Sequence, residues 1–264
     1  MPSPSEVPVF VLCGGFGTRL AGSAARVPKP MVEIGDRPLL AHVLECYGRH
    51  GYRRFVLCTG YRAEIVSAYF LLLPGFLSDF TLDLRDRSIS YHQSECTPDW
   101  EITVARTGLE VMTGARLARA AARYLGDAEH FAVTYGDGLT DADLAEELRF
   151  HLAHGAVGTV LAVNPPSQFG HLGLEEDRVA AFAEKPASEQ GWINGGFFLF
   201  RRSFLDYLSP EPDCVLEREP LERLAADGEL RVFRHRGFWT CLDTPRDHER
   251  LRHLWESGAP PWKP

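Results

Sequence analysis

The residue types that could do chemistry begin at Cys13-Gly14-Gly15-Phe16-Gly17-Thr18-Arg19-Leu20, which directly follows the apolar run Val9–Cys13, with Pro28-Lys29-Pro30-Met31 further on. Glycines in such a loop adopt positive φ and let backbone N–H groups approach a polyanion, forming a concave nest of donors. Arg19 stands in the loop and Lys29 beyond it, two cations that taken alone also read as solvated side chains. No Gly-Lys-Ser/Thr ends the loop, so it is not a Walker A sequence, and Leu20 stands where the third glycine of a dinucleotide fingerprint belongs. An ordinary glycine-rich βα turn has the same composition. The loop alone leaves both readings open.

Two aspartates stand out for their settings. Asp137, in Tyr135-Gly136-Asp137-Gly138, follows the apolar run Phe131–Thr134, and ligands gather at the carboxyl ends of strands in open α/β sheets. Asp243, in Gly237-Phe238-Trp239-Thr240-Cys241-Leu242-Asp243-Thr244-Pro245, precedes a helical pattern and by itself is best explained as an N-cap ahead of a proline. Two further segments, Phe182-Ala183-Glu184-Lys185-Pro186 and Trp192-Ile193-Asn194-Gly195-Gly196-Phe197, read either as binding groups or as a hairpin with an exposed ion pair and a glycine turn.

Elements able to position these residues alternate along the chain. Strands are expected at Val9–Cys13, Phe55–Cys58, Phe131–Thr134 and Val157–Val163, and helices at Leu39–His50, Ala63–Phe70, Thr113–Tyr124 and Asp141–His154, the last with Asp141 as N-cap. A strand pair is expected around Ser88–His92 and Ile102–Ala105. This order predicts an α/β fold with a Rossmann-like, mostly parallel mixed sheet flanked by helices. After Pro165 and Pro166 the shorter runs Leu172–Leu174, Val179–Ala183 and Gly196–Phe200 suggest a smaller β-rich lobe. Helices Leu216–Ala226 and Pro245–Trp255 bracket a strand at Leu230–Arg234. The expected organisation is one domain, 1–264, divided into a larger α/β part at 9–163 and a smaller lobe with C-terminal helices at 164–264.

Composition narrows the function classes. A net charge of −8 argues against a nucleic-acid partner, which would call for a basic excess on one face. No apolar run nears the length of a membrane span, and Met1–Pro8 lacks the basic and apolar regions of a signal peptide, so no membrane association and a cytoplasmic location are expected. The six cysteines, Cys13, Cys46, Cys58, Cys96, Cys214 and Cys241, form no CxxC pair and read as free thiols. His151 and His154 are spaced i, i+3 and read as a solvated helix face.

Gly-Gly-x-Gly-Thr-Arg-Leu followed by Pro-Lys-Pro-Met resembles the signature of the sugar-1-phosphate nucleotidyltransferases. That resemblance implies a GT-A-like fold in which Leu12, Gly14, Gly15, Phe16, Gly17 and Thr18 wrap the nucleotide while Arg19 and Lys29 hold its β- and γ-phosphates. It implies that Asp137 and Asp243 hold one catalytic Mg²⁺. It further implies that Lys185 grips the sugar phosphate and that Glu184, Asn194 and Gly170 serve the sugar. Pro-Lys-Pro-Met-Val-Glu-Ile-Gly (28–35), Met-Thr-Gly-Ala-Arg (112–116), Thr-Tyr-Gly-Asp-Gly (134–138), Ile-Asn-Gly-Gly-Phe-Phe (193–198) and Gly-Phe-Trp (237–239) are similar to the cytidylyltransferase subgroup acting on glucose 1-phosphate. By that carry-over Thr113, Gly114, Arg116 and Gly136 contact the nucleotide, and Arg19, Lys29 and Lys185 are the catalytic cations.

The implied reaction joins CTP and glucose 1-phosphate to give CDP-glucose, a precursor of deoxy sugars in surface polysaccharides. The implied assembly is a homo-oligomer, a hexamer by analogy with the family. Cys13, Val27, Arg106, Ala115 and Gln168 depart from the subgroup's pattern. UTP or dTTP with another sugar 1-phosphate keeps the same chemistry, and a nucleotide-sugar sensing subunit that has lost turnover is the alternative from another class.

Overall fold

A computed structural model describes residues 2–15, 27–92, 98–165, 171–175, 178–183 and 191–263, the two segments 171–175 and 178–183 as backbone strands only. Strand β1 (Val9–Cys13) is buried at every position. A short hairpin, β2 (Glu33–Ile34) and β3 (Arg37–Pro38), leads to helix α1 (Leu39–Gly48) and strand β4 (Arg54–Thr59). Helix α2 (Ala63–Leu77) follows, then a hairpin of β5 (Phe80–Asp83) and β6 (Ser88–Tyr91), and strand β7 (Glu101–Arg106). Helix α3 (Thr113–Tyr124) returns to β8 (His130–Tyr135), β9 (Gly138–Thr140), α4 (Leu144–His154) and β10 (Gly158–Val163). Hairpin β11 (His171–Glu175) and β12 (Arg178–Ala183) precedes β13 (Ile193–Arg201), α5 (Glu219–Ala226), β14 (Leu230–His235), β15 (Trp239–Cys241) and α6 (Pro245–Glu256).

The main sheet is mixed and mostly parallel, in the order β14-β10-β13-β8-β1-β4-β7. β1 lies parallel to both β4 and β8, whereas β13 runs antiparallel between β8 and β10. Burial on both faces explains the unbroken aliphatic character of β1. Its alternate side chains feed two cores: Val9, Val11 and Cys13 pack with residues of α1 and α4, and Phe10 and Leu12 with those of α3 and α5. From β1 the chain steps to β4 on one side while β8 flanks the other. The crevice outside their carboxyl ends is therefore a topological switch point, where open α/β sheets bind ligands.

Several expectations are corrected. The segments around 88–92 and 102–105 do not pair with each other: β6 pairs with β5, and β7 joins the main sheet beside β4. Helix α2 does not stop at Phe70 but carries Pro74 inside it and ends at Leu77, because a proline removes one intrahelical donor without forbidding the turns around it. Asp143, not Asp141, caps α4, its side chain accepting from the Glu146 N–H at 2.8 Å. The β9–β15 pairing runs to Thr140, the Asp141 N–H then donates to the Phe238 carbonyl at 3.2 Å, and its carboxylate meets His235 at 2.7 Å. The strand expected at Gly196–Phe200 in a smaller sheet lies at the centre of the main one, and the strand at 230–235 lies at its edge. His151 is not solvated: it is fully buried, and His154 is half-buried beside it.

Candidate active site

The site is organised around one lysine. The Lys29 ammonium donates to Asp137 Oδ2 at 2.6 Å and to Asp243 Oδ1 at 2.6 Å, so the two carboxylate oxygens lie no further apart than twice that distance. Three local features bring together residues so distant in sequence. Lys29 opens a tight 3-10 turn, Lys29–Met31, locked between prolines. Asp137 immediately precedes β9 and Asp243 closely follows β15, and these strands pair antiparallel with Cys241 opposite Gly138. The Leu242 N–H then donates to the Asp137 carbonyl at 2.9 Å, which clamps the two acidic turns together. Thr244, not Asp243, is the N-cap of α6, with Asp247 completing a capping box. Asp243 is thus held just outside the helix with its carboxylate turned toward Lys29.

The electrostatics favour full ionisation of the lysine. Burial alone would lower its pKa, but the charges and hydrogen bonds of Asp137 and Asp243 outweigh that and hold the ammonium above the ordinary lysine value. Burial, followed by the nearby Asp243 charge, pushes the Cys241 thiol up to about 12, so it is a neutral donor to Asp243 Oδ2 at 3.4 Å. Among the described residues no group of three or more His, Cys, Asp or Glu is arranged to hold a metal. Two converging carboxylates already gripping one cation do suit Mg²⁺, which takes few protein oxygens and completes an octahedron with phosphate and water.

Beside this constellation opens a cavity of about 470 Å³ lined by Leu12, Gly14, Gly15, Lys29, Thr113, Arg116, Tyr135, Gly136 and Asp137 with the 109–112 segment. Arg116 is buried, and its guanidinium donates to the carbonyls of Thr59, Gly108, Gly14 and Leu109 and to Thr107 Oγ1, at 2.6 to 3.2 Å. This one side chain fastens the start of the glycine loop to the ends of β4 and β7. A Cβ at Gly14 or Gly60 would fall 2.4 Å from that guanidinium, so both glycines make room for it. At Gly15 a Cβ would meet nothing among the described residues. Gly136 packs against Pro30 and Cys13, and a Cβ there would come within 2.9 Å of the proline ring.

Tyr135 and Glu217, to which the sequence reading gave no role, join the site through Thr113. Tyr135 and Thr113 both donate hydroxyls to the carboxylate of Glu217, the Thr113 bond measuring 2.7 Å. The Leu216 N–H donates back to Thr113 Oγ1 at 2.9 Å. Burial, then the Glu217 charge, raises the Tyr135 pKa and keeps its hydroxyl protonated. Tyr135 could have been suspected from its place in the Tyr-Gly-Asp-Gly segment. Glu217 carries no such signal.

Gly114 does not line the cavity; it lets α3 approach Cys214, whose Sγ would lie 2.7 Å from an added Cβ. Asn194, near the start of β13, accepts from the Gly196 N–H at 2.8 Å, while Trp239 Nε1 donates to the Gly195 carbonyl at 2.7 Å. Phe16, Gly17, Thr18, Arg19, Gly170, Glu184 and Lys185 lie outside the described residues.

Known proteins resemble this chain in sequence and in fold. A family model described as "Nucleotidyl transferase" matches residues 9–240. The chain is 42% identical over 253 residues to the glucose-1-phosphate cytidylyltransferase of Salmonella typhi, covering 96% of this chain and 97% of that protein. It is equally similar to the enzyme of the same name from Salmonella typhimurium. Among solved structures, HddC from Yersinia pseudotuberculosis complexed with GMP-PN superposes with a TM-score of 0.64 at 19% identity, over 94% of this chain and 99% of that one. This last likeness establishes a shared fold.

Proposed function

The chain belongs to the nucleotidyl transferase family, and from that premise we propose that it transfers the cytidylyl group of CTP to glucose 1-phosphate, giving CDP-glucose and pyrophosphate. The observation that carries the reading is the convergence of Lys29, Asp137 and Asp243 at the edge of the cavity beside Gly14 and Gly15. The near full-length identity to two glucose-1-phosphate cytidylyltransferases supports the choice of substrates.

In this mechanism an oxygen of the sugar phosphate attacks the α-phosphorus of CTP in line. The new P–O bond forms as the bond to the β-phosphate bridging oxygen breaks, and pyrophosphate leaves with both bonding electrons. Leu12, Gly14, Gly15, Thr113 and Gly136 shape the nucleotide side, and Arg116 fixes the carbonyls that frame it. Lys29 and Arg19 offset the charge that builds on the leaving pyrophosphate, a stabilisation larger in the transition state than in the ground state. Phe16, Gly17 and Thr18 complete the loop, Gly114 sets α3 against its neighbours, and Lys185, Glu184, Gly170 and Asn194 receive glucose 1-phosphate. Asp137 and Asp243 would hold Mg²⁺, which when bound offsets repulsion between the two phosphorylated reactants. Positioning and charge neutralisation suffice, as in phosphoryl transfer generally, without a covalent enzyme intermediate.

The same reading makes the protein a supplier of activated sugar for deoxysugar and polysaccharide synthesis in the cytoplasm. No helix among the described residues is long and apolar enough to cross a membrane. A homo-oligomer, a hexamer by family resemblance, is supported by exposed apolar side chains on two adjoining elements: Leu71, Leu72 and Phe76 of α2, and Phe80, Leu82, Ile89 and Tyr91 of the β5–β6 hairpin. Pyrophosphate release measured across a matrix of CTP, UTP, dTTP, ATP and GTP against several hexose 1-phosphates tests the substrate assignment. CTP with glucose 1-phosphate is expected to give the highest kcat/KM, and a preference for another pair would replace it.

A further inference from the structure

The segment between the 3-10 turn Arg202–Tyr207 and α5 is pinned across the start of α3. The Met112 N–H donates to the Pro212 carbonyl at 2.8 Å, and the Ala115 N–H to the Cys214 carbonyl at 3.1 Å. Glu217, near the end of this strap, is exposed, yet both of its carboxylate oxygens are taken by side chains from different elements. The Thr113 hydroxyl of α3 donates to Oε2 at 2.7 Å, and the Tyr135 hydroxyl of β8 donates to Oε1. Thr113 and Tyr135 line the cavity beside Lys29, whereas Glu217 stands behind them. The Tyr135 ring reaches a further element: at Gly196 of β13, where φ is +79°, an added Cβ would lie 2.6 Å from the ring. The chain forgoes a side chain there to seat it. An exposed carboxylate has water as an equally good donor, so these two bonds matter for what they hold in place.

We propose that Glu217 is a positioning residue of the reaction: it holds the Tyr135 and Thr113 side chains as walls of the nucleotide cavity and touches neither substrate itself. This rests on the nucleotidyl-transfer reading and deepens it. The carboxylate ties the end of β8 to the start of α3 from outside the cavity. Without that tie the Tyr135 ring loses the partner of its hydroxyl, and Thr113 Oγ1 keeps only the Leu216 N–H. A nucleotide entering the cavity must then order both side chains as it binds. That cost falls equally on the ground-state and transition-state complexes, so it is read in KM and not in kcat.

The test measures kcat and KM for CTP in wild type, Glu217→Ala and Glu217→Gln, and in Tyr135→Phe/Thr113→Val with and without Glu217→Ala. Glu217→Ala is expected to raise KM by about tenfold, the cost of ordering two side chains, with kcat held within about twofold. Glu217→Gln keeps one acceptor oxygen and should fall between the two. In the Tyr135→Phe/Thr113→Val background, adding Glu217→Ala should change KM by less than about twofold, because a residue that acts through those hydroxyls has nothing left to hold. Circular dichroism and the urea midpoint establish that each variant is folded, and Glu217→Gln covers failure of the alanine variant. A wild-type KM in the folded Glu217 variants overturns the proposal. So does an undiminished rise in the background lacking both hydroxyls, which would put Glu217 on the substrate, or a loss that falls in kcat. The substrate assignment is decided on wild type alone: should the matrix favour another nucleotide, the same comparison run with that nucleotide still decides the role of Glu217.

Discussion

The two ends of β8 bury ionisable groups in opposite ways. Beyond its carboxyl end Asp137 and Asp243 meet the ammonium of Lys29 at the edge of a cavity. At its amino end His130 begins a chain of neutral groups: its Nδ1 lies 3.1 Å from His151 Nε2, His151 Nδ1 lies 2.8 Å from Thr159 Oγ1, and His154 Nε2 lies 2.7 Å from the same oxygen. The Ala156 N–H donates to His154 Nδ1, so His154 Nε2 carries the ring proton and donates to Thr159 Oγ1. Burial, then the neighbouring His130, His154 and Arg201, lowers the His151 pKa to about 3. Charges persist in the interior where opposite partners meet beside a ligand cavity; where no counter-charge is available, neutral donors and acceptors satisfy one another instead.

The largest effect is expected from removing a charge at the carboxyl end. Asp137→Asn keeps the shape of the site but removes half of the anionic pair, and turnover should fall by about a thousandfold, comparable to losing a preorganised electrostatic group. Its circular dichroism should match wild type, because Asp137 is partly exposed and its backbone contact to Leu242 remains. An active, folded Asp137→Asn enzyme would remove this residue from the metal site and dissolve the contrast between the two ends.

Arg116 sits between the two cases, a buried charge met by neutral acceptors. Arg116→Ala strands several carbonyls around the glycine loop and should cost roughly 3 kcal/mol of stability in urea denaturation, with a raised KM for CTP. Arg116→Lys should recover only part of both, since an ammonium cannot serve acceptors spread around a planar fork. Full recovery of stability and KM by the lysine would mean that positive charge alone matters.

These residues also mark how far the sequence could be read. Regular periodicity placed β1 and α3 at their observed bounds, whereas Lys29 and Asp243 were singled out through a family resemblance carried by short motifs, their local settings alone reading as a solvated lysine and an N-cap. Pairing partners left no local signature. That β6 meets β5, that β13 enters the central sheet, and that Glu217 reaches Tyr135 are consequences of tertiary packing between distant segments. Arg116 was legible as a motif member, yet its sharing among backbone carbonyls depends on three loops meeting. His151 looked solvated because helical spacing does not reveal which face a neighbouring strand will cover.

The amino end can be broken without touching chemistry. Thr159→Val removes the hydroxyl that joins His151 and His154 and should destabilise the fold by about 2 kcal/mol at neutral pH, with kcat unchanged. In wild type the histidines' folded pKa values lie below the ordinary histidine value. Stability from this cluster is therefore present above the ordinary value and is lost as pH falls toward about 3, the folded value of His151. Urea midpoints taken on either side of that window should show the acid loss, and a flat profile would mean that the cluster is readily protonated in place.

The smallest effect sharpens the comparison with a group that has neither solution. Glu147 of α4 is buried against the core that contains Tyr47 and Tyr52, and its Oε1 has no hydrogen-bond partner among the described residues. Burial alone pushes its carboxyl up to about 8. A folded pKa above the unfolded one means that the contribution to stability is fully present below the ordinary glutamate value and declines as pH rises toward about 8. Glu147→Gln keeps the shape and cannot ionise, so it should match wild type near the ordinary glutamate pKa and exceed it by about 1 kcal/mol above neutrality, the amide offsetting part of the gain by burying its own donors. A gain of equal size at every pH would place the benefit in packing and not in the suppressed charge.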